Sequence, residues 1–181
     1  MLGGLAQPED RESLLVNGKF ASARAASQAG PQPDDWKQGG APAGWSFWQA
    51  GVSAGKPGWD PEMGRIGPGA GALIGVSNGC LIQRIEVEPG ARYAVAAWCR
   101  VQGECNPSVT MRWQTAEGKW HAEALDVSLG TARAAGDWNV IAGAGVVPEG
   151  TGKPVVLLSV NGQQSDQDIV WWDDVAVFEL K

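Results

Sequence analysis

Histidine is almost missing from this chain: of 181 residues only His121 carries an imidazole. A Ser–His–Asp or Cys–His arrangement would have to use it, yet it follows Trp120 in a stretch with no nucleophile at suggestive spacing. One histidine and three scattered cysteines make no zinc set. No glycine-rich loop leads from a strand into a helix, which excludes a phosphate cradle. Basic residues are also short, with 14 Lys and Arg against 20 Asp and Glu and a net charge of −6. Without a basic patch to offset that charge, nucleic acid and anionic membrane are poor partners. No apolar segment is long enough to span a bilayer. Composition does leave paired-carboxylate chemistry open, because any two of the twenty acids could meet across a cleft as in a glycoside hydrolase or a polysaccharide lyase.

What the chain has in excess is tryptophan, ten of them against one tyrosine and three phenylalanines. Ten exceeds what a core of this size holds, so some face solvent. Glycine (26) and proline (11) break the chain into short apolar runs with no sustained helical period. That pattern is all-β, and 181 residues suffice for one core. Residues 1–12 read as a loose leader without the charged start and apolar run of a secretion signal. Residues 13–181 read as a single domain. Leu14–Val16 forms a first short strand, and 21–44 an irregular excursion pinned by Trp36. Trp45–Trp48 is the next strand, and Gly51–Gly71 a loop carrying Trp59. Strands follow at Ala72–Val76, Cys80–Val87, Arg92–Val101, Val109–Gln114, Trp120–Val127, Trp138–Val147, Val155–Val160 and Ile169–Phe178. Nine or ten strands spaced near ten residues make a two-sheet antiparallel sandwich.

The closing stretch Ile169-Val170-Trp171-Trp172-Asp173-Asp174-Val175-Ala176-Val177-Phe178 is apolar on both faces, as a central strand covered on both sides should be. Two adjacent carboxylates in its middle are an anomaly, since a buried aspartate needs a cation, a basic partner or several backbone N–H donors. Either Asp173 or Asp174 is a ligand for a hard cation such as Ca²⁺, or the pair ends the buried part of the strand. Cys99 and Cys105 flank a short turn and could bridge, leaving Cys80 over; three buried thiols are the alternative.

A sugar offers apolar C–H faces ringed by hydroxyls, so its site wants an exposed aromatic plate beside planar polar side chains. Alternation puts Trp98 and Arg100 on the outward face of one strand, and Arg112 and Gln114 on that of the next. If those strands pair, the four make one patch; otherwise the face packs under a loop and Trp98 is core. Trp48 and Trp59 are the second choice, on a cleft rim. Trp45, Trp113, Trp138 and Trp171 fall to the core by alternation.

Six pieces then occur in a known order: Leu14-Leu15-Val16-Asn17-Gly18-Lys19-Phe20, Pro42-Ala43-Gly44-Trp45, Ile82 through Tyr93, Ala97-Trp98-Cys99-Arg100, Gly136-Asp137-Trp138 and Trp172-Asp173-Asp174-Val175. Over roughly residues 13–180 the chain resembles carbohydrate-binding modules of the family four and nine type. That resemblance implies a jelly-roll sandwich of the galactose-binding-domain-like class and a carbohydrate ligand without catalysis. It further implies secretion or cell-surface display, and attachment to a glycan-degrading enzyme in a longer chain. It also implies a structural calcium ion held by an aspartate of the closing Asp-Asp-Val and by a glutamate after the opening Asn-Gly-x-Phe. Here Ala21 stands where that glutamate should be, so one charged ligand is gone. A protein-interaction module of the same fold is the other non-enzymatic reading, because an exposed Trp–Arg patch serves a protein partner equally well.

Overall fold

The computed structural model describes residues 13–21, 40–128 and 136–181, none of them helical. The leader 1–12 and Trp36 lie outside the described residues. Among the described residues ten strands carry the fold. They are β1 (Ser46–Gln49), β2 (Lys56–Asp60), β3 (Ala70–Ile74), β4 (Asn78–Arg84), β5 (Arg92–Gln102), β6 (Asn106–Gln114), β7 (Trp120–Ser128), β8 (Trp138–Val146), β9 (Val155–Asn161) and β10 (Ile169–Leu180). All pairings are antiparallel and make two five-stranded sheets, β1-β4-β9-β6-β7 and β2-β3-β10-β5-β8. This is the two-sheet sandwich expected from the turn spacing, in the jelly-roll form that the family resemblance implied.

The core lies between the sheets, where alternation along each strand delivers one apolar face. Leu81, Val109, Met111, Trp113, Val156 and Leu158 come from the first sheet. Leu73, Val95, Ala97, Ile141, Val170 and Trp172 meet them from the second. Phe20, fully buried, stacks on Trp45 with ring centroids 5.5 Å apart. Its ring lies so close over Gly71 that a Cβ there would sit 2.6 Å from the Phe20 Cε1, which only glycine avoids.

Several local expectations are corrected. Leu14–Val16 is a turn rather than a strand, although Leu14 N–H donates to the Val177 carbonyl at 3.0 Å and Leu15 is buried. The supposed loop from Gly51 to Gly71 contains β2, which hid because Pro57 and Gly58 are poor strand formers; β2 pairs only with β3, and an edge strand tolerates proline. β4 stops at Arg84, short of Val87. β5 and β6 do not form a hairpin: the chain crosses from one sheet to the other at 103–105. Cys80, Cys99 and Cys105 are all buried and no disulfide joins them, so the buried-thiol alternative describes them.

Strict alternation also fails in β10. The register with β5 slips between Asp173 and Ala176, and Asp174 takes a left-handed φ of 45°. One extra residue shifts the phase, so Val170 and Trp172 before it and Val175 and Val177 after it all reach the main core. Trp171 therefore points away from that core. It is still only 6% exposed, because it forms a second apolar cluster with Ala72, Ile74 and Ile169, flanked by Met63 and Trp138. β10 is covered on both sides, as its composition demanded.

Candidate functional site

The outer face of the β1-β4-β9-β6-β7 sheet is open and forms a cleft of about 1180 Å³. Its floor can be read rung by rung from the pairing, since residues directly opposite one another project from the same face. One rung runs Trp48, Cys80, Ser159, Ser108. The next runs Ser46, Ile82, Leu157, Thr110, Asp126, and the third Arg84, Val155, Arg112, Ala124. Gln114 opposite Trp120 closes the series. Polar and apolar side chains share this floor, whereas the inner face of the same strands carries the apolar Leu81, Val109, Met111 and Leu158.

Two tryptophans stand at opposite corners. Trp48 on edge strand β1 is 52% exposed and Trp120 on edge strand β7 is 47% exposed, values that a packing role would not leave. Four strand spacings separate the two edges, about 19 Å across the sheet. The Arg112 guanidinium lies over the Trp120 ring, 4.5 Å from its centroid, and so steadies that indole. Thr110 Oγ1 donates to Asp126 at 2.8 Å. Cys80 lies in the floor, where burial pushes its thiol up to about 11, with a smaller opposing effect from Ser159; at neutral pH it is a protonated, inert side chain.

The four residues Trp98, Arg100, Arg112 and Gln114 are not one patch, since β5 and β6 lie in different sheets. Arg112 and Gln114 line the cleft with Trp48. Trp98 and Arg100 sit on the far side of the molecule, under the loop after β2. There the Arg65 guanidinium covers the Trp98 ring at 4.4 Å, and Arg100 Nη1 approaches Met63 Sδ at 3.6 Å. Trp59 packs against the main core and donates from Nε1 to the Phe20 carbonyl at 2.6 Å. Trp120, Arg84 and Asp126 were not among the site residues expected from the sequence. Trp120 opens a strand of weak apolar pattern, and only the pairing of β7 with β6 shows what it faces.

Asp173 and Asp174 meet a cation of the chain itself. Arg65 Nε pairs with Asp174 Oδ2 at 2.6 Å. The two Asp173 oxygens accept backbone N–H groups of Arg65 and Asp174, each at 2.7 Å. Burial pushes the Asp173 carboxyl above the usual range despite those donors, and the neighbouring Asp174 adds to the effect. A calcium ion wants six to eight oxygens. Both carboxylates are committed to N–H donors, Ala21 supplies none, and among the described residues no three His, Cys, Asp or Glu gather. This donor set does not fit the ion: a guanidinium pairs with Asp174, and too few oxygens gather around it among the described residues.

No protein-family model matches the chain, and no curated protein sequence does. Solved structures share its fold. The enzymatically active domain of bacteriophage CBA120 tailspike protein 4 superposes with a TM-score of 0.65 at 14% identity, over 93% of this chain and 21% of that one. The Stig cyclase Fisc from Fischerella sp. TAU gives 0.64 at 13% identity, covering 93% of this chain and 96% of the cyclase. A family 16 carbohydrate-binding module gives 0.53 at 16% identity, covering 92% and 99%. The chain thus spans about a fifth of the tailspike domain but nearly all of the cyclase and the module. At such identities the likeness is one of fold.

Proposed function

We propose that this chain is a non-catalytic carbohydrate-binding module, of the family four and nine type that its motifs resemble, and that its ligand lies in the cleft of the β1-β4-β9-β6-β7 sheet. The observation that carries the reading is the pair of half-exposed tryptophans, Trp48 and Trp120, bracketing a floor of mixed polar and apolar side chains. Each indole offers a plate for the C–H face of a sugar ring, and Arg112, Gln114 and Thr110 offer donors and acceptors to its hydroxyls. A cleft of this kind suits a glycan chain better than a protein partner, which would want a flat apolar patch. The accessory role beside a glycan-degrading enzyme, and the location outside the cell, rest on the resemblance.

Catalysis has less to work with. Among the described residues Asp126 is the one carboxylate that lines the cleft, whereas glycoside hydrolysis uses two. Titration with oligosaccharides, followed by tryptophan emission, tests the assignment. Each polar contact replaces one with water, so affinity should be weak, on the order of micromolar to millimolar. Trp48→Ala and Trp120→Ala should each weaken binding about tenfold or more. Trp98→Ala, on the opposite side, should leave it unchanged. Normal binding in both cleft variants removes the site, and release of reducing ends removes the non-enzymatic reading.

A further inference from the structure

One rung of the cleft carries more charge than a neutral sugar needs. Arg84 on β4 and Arg112 on β6 both face Val155 on the intervening β9, so their side chains rise from the same face of the sheet. Their Cα atoms are two strand spacings apart, about 10 Å. Neither guanidinium has an acidic partner among the described residues, where the ion pair is Arg65 with Asp174 on the far sheet. The Arg112 guanidinium lies over the face of Trp120, and Arg84 is exposed. The carboxylate nearest in the ladder is Asp126, one rung on, and it accepts the Thr110 hydroxyl. Glu86, two residues past Arg84, is exposed beyond the end of β4. In a chain of net charge −6, two arginines without an ion-pair partner among the described residues, flanking one buried valine, concentrate positive charge on that rung.

Building on the carbohydrate reading, we infer that the cleft takes an anionic glycan, one carrying uronic-acid carboxylates, and seats a carboxylate on the Arg84–Val155–Arg112 rung. A guanidinium fork matches a planar carboxylate in two parallel hydrogen bonds, a match that hydroxyls of a neutral sugar do not offer. Val155 keeps water from the middle of the pair and strengthens the attraction. The Trp120 plate beside Arg112 then receives the ring that bears, or adjoins, the acid group.

The test compares oligogalacturonate with the same oligosaccharide after chemical reduction of its carboxyl groups, measured by calorimetry at two salt concentrations. The wild-type chain should prefer the acidic form about tenfold, and the preference should shrink as salt rises. Arg84→Gln should lower the ratio, and Arg84→Gln with Arg112→Gln should bring it close to one. Because Arg84 is exposed, its single variant keeps the fold, checked by circular dichroism. Equal binding of both oligosaccharides by the wild type overturns the anionic class and leaves the sugar-binding reading standing. A preference that survives the double substitution overturns the seat at this rung. Failure to bind either oligosaccharide or any neutral glycan overturns the carbohydrate reading itself.

Discussion

Replacing Arg65 is the sharpest test of how the acidic pair in β10 is tolerated. Arg65→Met keeps the aliphatic stem but removes the guanidinium that pairs with Asp174 at 2.6 Å and lies over Trp98 at 4.4 Å. Both members of the ion pair are mostly shielded, with side-chain exposures of 27% and 18%. A hydrogen bond between charged groups in such a place contributes about 1.5–3 kcal/mol, and the cation–π contact about 0.5–1 kcal/mol. The sum, discounted for residual solvent screening, is about 2–3 kcal/mol. For a chain of this length that lowers the melting temperature by on the order of 5–10 °C. Thermal melts followed by circular dichroism would show it. Arg65→Lys should recover only part, since an ammonium restores charge but not the flat fork over the indole. EDTA and added Ca²⁺ should leave the wild-type melt unchanged, because a ligand bound only to the native state would otherwise shift it. A melt of Arg65→Met within about 1 °C of wild type refutes the energetic role of the guanidinium. A wild-type loss in EDTA as large as the mutational one shows that a metal neutralises the aspartates instead.

Three ionisable groups carry further expected outcomes. Asp168 accepts the backbone N–H groups of Gln164, Glu104 and Ser165, which hold its carboxyl below the usual range. A depressed folded value stabilises above the unfolded value near about 3.9, and that contribution is lost as pH falls through the folded one. Asp168→Asn should therefore melt lower than wild type at pH 7, with the gap closing in strong acid; a constant gap would show that the charge is immaterial. Asp173 acts in the opposite sense: its raised value costs stability above the folded value, and acidification relieves it. For Cys80, the raised thiol predicts negligible alkylation by iodoacetamide at pH 8 in the native chain and full alkylation in denaturant. Rapid native labelling of Cys80 would mean that the cleft floor is more open than its 5% exposure.

The local chemistry of the chain was enough to set its class. Alternation in 92–102 and 106–114 separates core residues such as Val95, Val109 and Met111 from an outward set, and that same alternation exposed Arg112 and Gln114. Turn residues spaced the strands, and a doubly apolar 169–178 marked a strand covered on both faces. Those signals are local because each depends on the two-residue period of a single strand. Sheet membership is not local. Nothing within Trp98 and Arg112 says that their strands belong to opposite sheets, and the pairing of β6 with β7 and β9 was needed to place Trp120 beside Arg112. The bulge at Asp174 is equally invisible in the pattern, since one left-handed residue reverses the phase of everything after it. Arg65 reaches that bulge from 109 residues away in sequence. Only the folded chain decides which cation an isolated pair of aspartates will meet, because the partner is selected by tertiary proximity and not by spacing along the backbone.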